Sequence, residues 1–208
     1  MARMDSETIS ILLLAAGASE RMGSTIKQLL PWGNNTLIGH AIEQTRILNA
    51  KTYVVLGAHA EEIKSKLSDD VEVLLHSQWK NGMGSSIAFG VEQVLQINPK
   101  TKTIMILLAD QPFLDTRFLE NLLNEHQKRS AAISATKYPN ERVGVPAIFN
   151  SNYFAALRSL KQDKGARELL NNPKENILTI KAGKKAFDID TIEDYQRLLQ
   201  TLKEGKSL

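Results

Sequence analysis

A nearly continuous apolar run close to the amino end of the chain stops abruptly at a loop of small residues. Residues 9–14 have the composition of a buried strand in a parallel sheet, and the loop after them contains Gly17 and Gly23. Ligands of such sheets bind outside the carboxyl ends of the strands, where glycines allow backbone N–H groups to face an anion. Arg21 and Lys27 would add positive charge, so the segment predicts a polyphosphate site. The alternative is an ordinary strand-to-helix turn with both cations at the surface.

Apolar runs typical of strands alternate with helical patterns along the rest of the chain. Strands are expected at residues 9–14, 52–56, 71–75, 103–108, 131–136, 147–149 and 177–180. Helices are expected at residues 37–48, 61–67, 85–95, 116–128, 153–160, 165–170 and 192–202. This alternation predicts an α/β fold with a mainly parallel sheet. No repeat or long linker divides the chain, so residues 1–208 are expected to form a single domain with its core at about 8–199.

The composition is that of an ordinary globular protein, with 42% hydrophobic and 24% charged residues. The absence of cysteine excludes disulfides and thiolate metal sites, and it fits a cytoplasmic location. No apolar run is long enough to span a membrane. The net charge of +3 is small and its basic residues are dispersed, which favours anionic small molecules over nucleic acid as partners.

Two familiar phosphate-binding loops are excluded by spacing. No glycine lies between Gly17 and Gly23, so the Gly-x-Gly-x-x-Gly fingerprint of dinucleotide-binding proteins is missing. Ser24 follows Gly23 where a P-loop requires lysine. The pattern present is Leu-Ala-Ala-Gly-x-Ser-x-Arg-Met-Gly, with a lysine four residues later.

This pattern resembles the signature of the MobA-like nucleotidyltransferases, which have the nucleotide-diphospho-sugar transferase fold. Within that family the chain looks most similar to the molybdenum cofactor cytidylyltransferases, which are close kin of the guanylyltransferases. The resemblance covers roughly residues 8–199. It implies a three-layer α/β/α sandwich, Rossmann-like, whose mainly parallel mixed sheet contains one antiparallel strand. It also implies catalytic roles for Arg21, Lys27 and Asp110.

Two aspartates follow apolar stretches and are candidate metal ligands. Asp110 follows the apolar run of residues 104–109 at the end of a predicted strand, and Asp190 lies in the sequence Asp-Ile-Asp-Thr. Carboxylates at the edge of a sheet that also binds a triphosphate suit Mg²⁺, which takes one or two protein oxygens together with phosphate and water. The resemblance implies these metal-binding roles. Alternatively, Asp110 is a turn residue before Pro112 and Asp190 belongs to a helix cap, and Asp188 is a less favoured substitute for Asp190.

The resemblance also implies contacts to the nucleotide. These contacts are assigned to Ala15, Ala16, Gly17, Arg21, Lys27, Ser85 and Ser86, with Ser86 at the base. Glycines and hydroxyls before a helix can present N–H and O–H groups to a base or phosphate. Ser85 could equally be the N-cap of the helix that is expected to start there.

The acceptor-side residues implied by the resemblance are Gly144, Pro146, Lys164 and Arg167. Lys164 and Arg167 would hold the terminal phosphate of a pterin, although they could instead begin a solvated helix. Gln162 replaces a glycine that is common in the family, which leaves the identity of the acceptor in doubt. The four histidines show no metal-ligand spacing, and surface or helix-packing roles are expected for them. Packing roles are expected for Trp32 and Trp79, although Trp79 lies close to the loop expected at the base.

The expected activity is Mg²⁺-dependent transfer of CMP from CTP to the terminal phosphate of molybdopterin or the molybdenum cofactor, with release of pyrophosphate. The leading alternatives are a guanylyltransferase on the same cofactor and a sugar- or polyol-phosphate cytidylyltransferase. A nucleotide-binding protein without turnover and a nicotinamide-dependent oxidoreductase are hypotheses from other classes. A transient contact with a molybdoenzyme or a cofactor-delivery protein is a further expectation.

Overall fold

A computed structural model of the protein describes residues 8–162, 165–172, 174–185 and 187–203. Its strands are β1 (Ile9–Ala15), β2 (Pro31–Trp32), β3 (Asn35–Thr36), β4 (Lys51–Leu56), β5 (Glu72–Leu75), β6 (Thr103–Leu108), β7 (Ile133–Lys137), β8 (Val143–Asn150) and β9 (Ile177–Lys181). Its helices are α1 (Leu37–Arg46), α2 (Ala60–Lys64), α3 (Met83–Ile97), α4 (Thr116–Lys128), α5 (Phe154–Arg158), α6 (Arg167–Leu170) and α7 (Ile192–Lys203). None of these described helices is long and apolar enough to cross a membrane.

Seven strands form one mixed sheet in the order β5-β4-β1-β6-β8-β7-β9. Strand β8 runs antiparallel to both of its neighbours, and the other described pairs in this sheet are parallel. This topology confirms the expected mainly parallel sheet with one antiparallel strand. Strand β1 is buried along its whole length and lies between β4 and β6, which places the loop after it at the middle of the sheet edge.

Helices cover both faces of the sheet and make the three layers that were expected. Alternate β1 residues such as Leu13 pack with α1, α2 and α4, and their neighbours such as Leu12 pack with α3, α5 and α6. This division follows from the two-residue period of a strand. A smaller cluster, which includes Trp32 and Leu198, joins β2 to α7 at one end of the sheet.

Most expected elements are present, but several boundaries differ. The hairpin formed by β2 and β3 was missed, because two-residue strands carry no periodicity. Helix α3 begins at Met83 after Gly82, so the prediction that Ser85 is its N-cap is wrong. Thr36 is the N-cap of α1, since its hydroxyl accepts a hydrogen bond from the Gly39 N–H.

Buried His126 gives the folding free energy a defined pH dependence. Its Nδ1 lies 2.8 Å from the Ser134 hydroxyl, and burial lowers the pKa of His126 from 6.5 to about 4. The folded chain therefore stays neutral at this site while the unfolded chain binds a proton below about pH 6.5. We expect the protonation of His126 to leave the free energy of unfolding unaffected above pH 6.5. As the pH falls from 6.5 to 4, it should lower that free energy by about 3 kcal/mol.

Urea unfolding of the wild type and His126→Asn between pH 7 and pH 4 checks this expectation. Asparagine retains a polar group near Ser134 but does not titrate in this range. The variant should therefore lose less stability on acidification than the wild type. His59→Asn, at a half-exposed position, is the control. Parallel pH profiles for the wild type and His126→Asn would contradict the assignment.

Candidate active site

Three segments distant in sequence meet at the carboxyl edge of the sheet. Leu14 of β1 pairs with Leu108 of β6, so the loops after these two strands leave the sheet side by side. The Ile189 N–H donates to the Asp110 carbonyl over 3.0 Å and attaches the segment before α7 to this edge. The strand order thus brings Asp110 and residues 188–190 beside the glycine-containing loop.

Lys27 lies between the two predicted metal ligands. Its ammonium nitrogen is 2.6 Å from Asp110 Oδ2 and 3.9 Å from Asp190 Oδ1. The Lys27 side chain is only 13% exposed, whereas that of Asp190 is 53% exposed. Arg21, largely in solvent, lies 3.8 Å from the other Asp190 oxygen. The two carboxylates and the two cations therefore lie together, although the aspartates are remote in sequence from the cations and from each other.

Asp110 has the features of a ligand for a divalent cation. Burial raises the pKa of its carboxyl, the Lys27 ammonium beside it lowers that pKa, and Asp188 and Asp190 raise it again. Its Oδ1 is buried without a hydrogen-bond partner among the described residues. An unpartnered carboxylate oxygen beside a second, more exposed carboxylate fits the hard oxygen donors that Mg²⁺ or Mn²⁺ prefers.

Gln28 fixes the loop after β1, although no pattern in the sequence singles it out. Its buried side-chain amide donates to the carbonyls of Ala15 and Gly17 over 3.3 and 3.1 Å. The Ala16 carbonyl accepts from the Ala58 N–H at 3.0 Å. With these carbonyls bonded on the protein side, the loop is held in one conformation beside the open space at the edge.

A cavity of about 380 Å³, here called the central cavity, contains most of the predicted nucleotide contacts. The predicted residues that line it are Ala15, Ala16, Gly17, Lys27, Ser86 and Asp110. The side chain of Ser86 is buried in the first turns of α3, where it lines this cavity. Ser85 lines a different cavity and its hydroxyl lies 2.9 Å from His76 Nε2, so the structure does not bring it to the others.

A neighbouring space of about 300 Å³, the outer cavity, is lined by Ser19, Arg21, Trp79 and Asp190, among others. Ser19 also lines the central cavity, so the glycine-containing loop borders both spaces. Trp79 likewise borders both, although the role expected for it from the sequence was packing close to the base loop. A ligand in the central cavity could therefore extend toward Arg21.

A third space of about 150 Å³, the hairpin cavity, lies beside the β7–β8 hairpin and includes the predicted acceptor residues Gly144 and Arg167. It also touches Leu14, Met83 and Leu108, which line the central cavity. Pro146 is buried, follows a cis peptide bond and accepts a hydrogen bond from Thr136 through its carbonyl. Lys164 lies outside the described residues.

A polar network at the hairpin cavity was not anticipated from the sequence. The Gln111 amide donates to Asp188 over 2.8 Å and to the Tyr138 hydroxyl over 2.5 Å. Arg142 lies 3.5 Å from Asp188, with its guanidinium 4.6 Å from the Tyr138 ring centre. Burial raises the pKa of Tyr138, which keeps its phenol protonated. Asp188 therefore belongs to this network, while Asp190 faces Lys27.

Comparison with known proteins agrees with this geometry. Residues 11–177 match the MobA-like NTP transferase domain. The chain belongs to this family. Membership identifies it as a nucleotidyltransferase and agrees with the mixed sheet described above.

The relatives differ in what their names say. Nicotine blue oxidoreductase of Paenarthrobacter nicotinovorans is 30% identical over 96% of this chain and all of its own length. Rv0371c of Mycobacterium tuberculosis H37Rv has a TM-score of 0.81 at 27% identity, covering 94% of this chain and 100% of that one. A structure of Rv0371c in complex with manganese has a TM-score of 0.78 at 26% identity, and the match covers 93% of this chain and 99% of that one. Bifunctional protein GlmU of Pseudomonas fluorescens is 30% identical over 57% of this chain, which spans only 25% of that relative.

Proposed function

We propose that the protein transfers CMP from CTP to the terminal phosphate of molybdopterin or the molybdenum cofactor and releases pyrophosphate. The observation that carries this proposal is the Lys27 ammonium, which lines the central cavity together with Asp110 and also lies beside Asp190. Such an arrangement offers positive charge to a triphosphate and carboxylate ligands to the divalent cation that would accompany it. Ser86 and the backbone of Ala15 to Gly17 would hold the cytosine and ribose.

The reaction is in-line attack by an acceptor phosphate oxygen on the α-phosphorus of the nucleotide. The new P–O bond forms as the bond from the α-phosphorus to the bridging oxygen breaks, and that oxygen leaves with pyrophosphate. A phosphate monoester has its second pKa near 6, so it is mostly a dianion at pH 7 and requires no general base. The protein's task is therefore to hold two anions together and to stabilise the charge between them.

Each residue has a defined part in this proposal. Lys27 and Arg21 offset the repulsion between the two anions, and Asp110 and Asp190 would hold a divalent cation, taken as Mg²⁺. When bound, that cation supplies Lewis-acid polarisation of the α-phosphate. The complex of Rv0371c with manganese supports divalent-metal binding at this fold. Arg167 and Gly144 at the hairpin cavity would receive the acceptor, together with Lys164.

CTP is favoured over GTP because the sequences Leu-Ala-Ala-Gly and Gly-Met-Gly-Ser-Ser are closer to those of the cytidylyl group. The decisive test measures pyrophosphate release with Mg²⁺, each of the four NTPs in turn, and molybdopterin. We expect release with CTP that depends on the acceptor. Preference for GTP would change only the base assignment, whereas no release with any NTP and any phosphate acceptor would contradict the enzymatic proposal. A sugar or polyol phosphate serves as the alternative acceptor.

The full-length relative named nicotine blue oxidoreductase favours a second candidate, an oxidoreductase. The missing Gly-x-Gly-x-x-Gly fingerprint speaks against a dinucleotide of the usual kind at the β1 loop. A parallel assay with NADH or NADPH as reductant and nicotine blue as oxidant separates the two candidates. Consumption of the reduced nucleotide without any pyrophosphate release would favour the oxidoreductase.

A further inference from the structure

Trp79 stands at the boundary between the central cavity and the outer cavity. It begins a short 3₁₀ helix, Trp79–Asn81, in the connection from β5 to α3. Its side chain lines the central cavity together with Ser86 and also lines the outer cavity together with Arg21. A ligand that occupies both cavities would therefore lie beside the indole and Ser19.

The main chain holds Trp79 in this position by close packing. A Cβ atom at Gly57 would come within 2.5 Å of Trp79 Cβ and Cγ and within 2.7 Å of the Ala16 carbonyl oxygen. Glycine at the end of β4 thus allows the tryptophan to approach the β1 loop. The Trp79 carbonyl in turn accepts from the Gly82 N–H over 3.0 Å, which closes the short helix.

The ring itself is only partly covered. Trp79 is half-buried: it packs against the core cluster that contains Leu14 and Ala16, and the Lys80 ammonium lies 5.6 Å from the centre of its ring. Its surroundings differ from those of Trp32, which is 6% exposed and packs edge-on against Phe113 in the cluster near α7. A half-buried indole that lines two cavities is positioned for a ligand, whereas Trp32 is a core residue.

We propose that Trp79 is a nucleotide-binding residue whose indole packs against the nucleobase and ribose of the bound NTP. This inference rests on the proposed nucleotide-binding function. The central cavity offers apolar walls from Leu14, Met83 and Leu108 around Trp79. Its charged residues Lys27 and Asp110 suit the phosphate end, and Lys80 also lines it beside Trp79. Aromatic side chains bind bases through their π faces, and removing one such contact weakens binding about 5- to 150-fold.

The chain has only two tryptophans, so Trp32→Phe leaves Trp79 as the sole tryptophan fluorophore. We would titrate this variant with CTP and with GTP in the presence of Mg²⁺ but without an acceptor, so that no turnover occurs. Saturable quenching of the emission is expected, with the dissociation constant that calorimetry gives for the wild type. If calorimetry shows that the nucleotide is bound to saturation but the Trp79 emission does not change, the proposal is overturned.

Substitutions at the position itself give the second readout. Trp79→Ala should raise the Kd and KM for the nucleotide about 5- to 150-fold with a smaller change in kcat, and Trp79→Phe should restore most of the affinity. Gln78→Ala is the matched control, because this exposed neighbour lines the cavity that contains Ser85 instead. Circular dichroism and thermal melting confirm that each variant is folded.

The outcomes separate this proposal from the function on which it rests. Normal nucleotide affinity in folded Trp79→Ala, with pyrophosphate release intact, refutes the role of Trp79 and leaves the transferase proposal standing. No binding of any NTP to the wild type by calorimetry refutes both. Loss of affinity in Gln78→Ala equal to that in Trp79→Ala would assign the effect to the loop as a whole and also refute the specific role of the indole.

Discussion

Replacing Lys27 with methionine is expected to lower kcat/KM for pyrophosphate release by about 10²–10³-fold. Methionine keeps much of the volume of the side chain but removes the ammonium, which lies 2.6 Å from Asp110 and 3.9 Å from Asp190. The charge of the transferring phosphoryl group then lacks a fixed cation at a largely buried position. Steady-state kinetics with varied CTP and acceptor measures the effect.

Lys64→Met on the exposed side of α2 is the matched control and should leave kcat/KM unchanged. Removing Lys27 also leaves the buried Asp110 carboxylate without its closest cation, so the variant should melt at a lower temperature than the wild type. Kinetics must therefore be measured well below that temperature. A folded Lys27→Met protein with wild-type kcat/KM would remove Lys27 from the proposed mechanism.

Asp110→Asn should abolish most activity and weaken divalent-metal binding together. Asparagine keeps the shape of the side chain, but it loses the negative charge and offers a single oxygen where the carboxylate has an unpartnered Oδ1. We expect kcat to fall by at least about 10²-fold, on the scale seen when one charge-stabilising group is removed. Mn²⁺ binding, measured by calorimetry or electron paramagnetic resonance in the presence of CTP, should weaken in parallel.

Three further substitutions sharpen this test. Asp190→Asn should weaken Mn²⁺ binding as well, because Asp190 shares Lys27 with Asp110. Asp188→Asn should affect the metal less, because Asp188 is engaged by Gln111 and Arg142. Asp69→Asn, an exposed change outside the site, should have no effect. Unchanged Mn²⁺ affinity in Asp110→Asn would rule out Asp110 as a ligand.

The fold was largely predictable because its signals are local. The continuous apolar character of β1 and β6 identifies them as central strands, and the helical periodicity of residues 116–128 marks α4 at the bounds observed. The β2–β3 hairpin could not be found in this way, since pairs of two-residue strands form only where tertiary contacts support them. The start of α3 was misplaced because a serine suggested a cap where glycine precedes the helix.

The sequence by itself determined the strand-and-loop pattern at the β1 edge and the identity of Lys27, Asp110 and Asp190 as residues of interest. Only the tertiary structure decided that these three meet, since Lys27 and Asp110 are 83 residues apart and join through the order of the strands. The tertiary structure also separated residues of the same type, namely Ser85 from Ser86 and Trp32 from Trp79.

Ser86 faces the central cavity while Ser85 turns toward His76, because successive side chains of a helix point about 100° apart. Trp79 and Trp32 differ for a related reason. Trp79 packs beside Gly57 and lines the central and outer cavities, whereas Trp32 is enclosed by a cluster of core residues. Composition specifies which groups a chain possesses, but packing between distant segments sets the direction in which each group points.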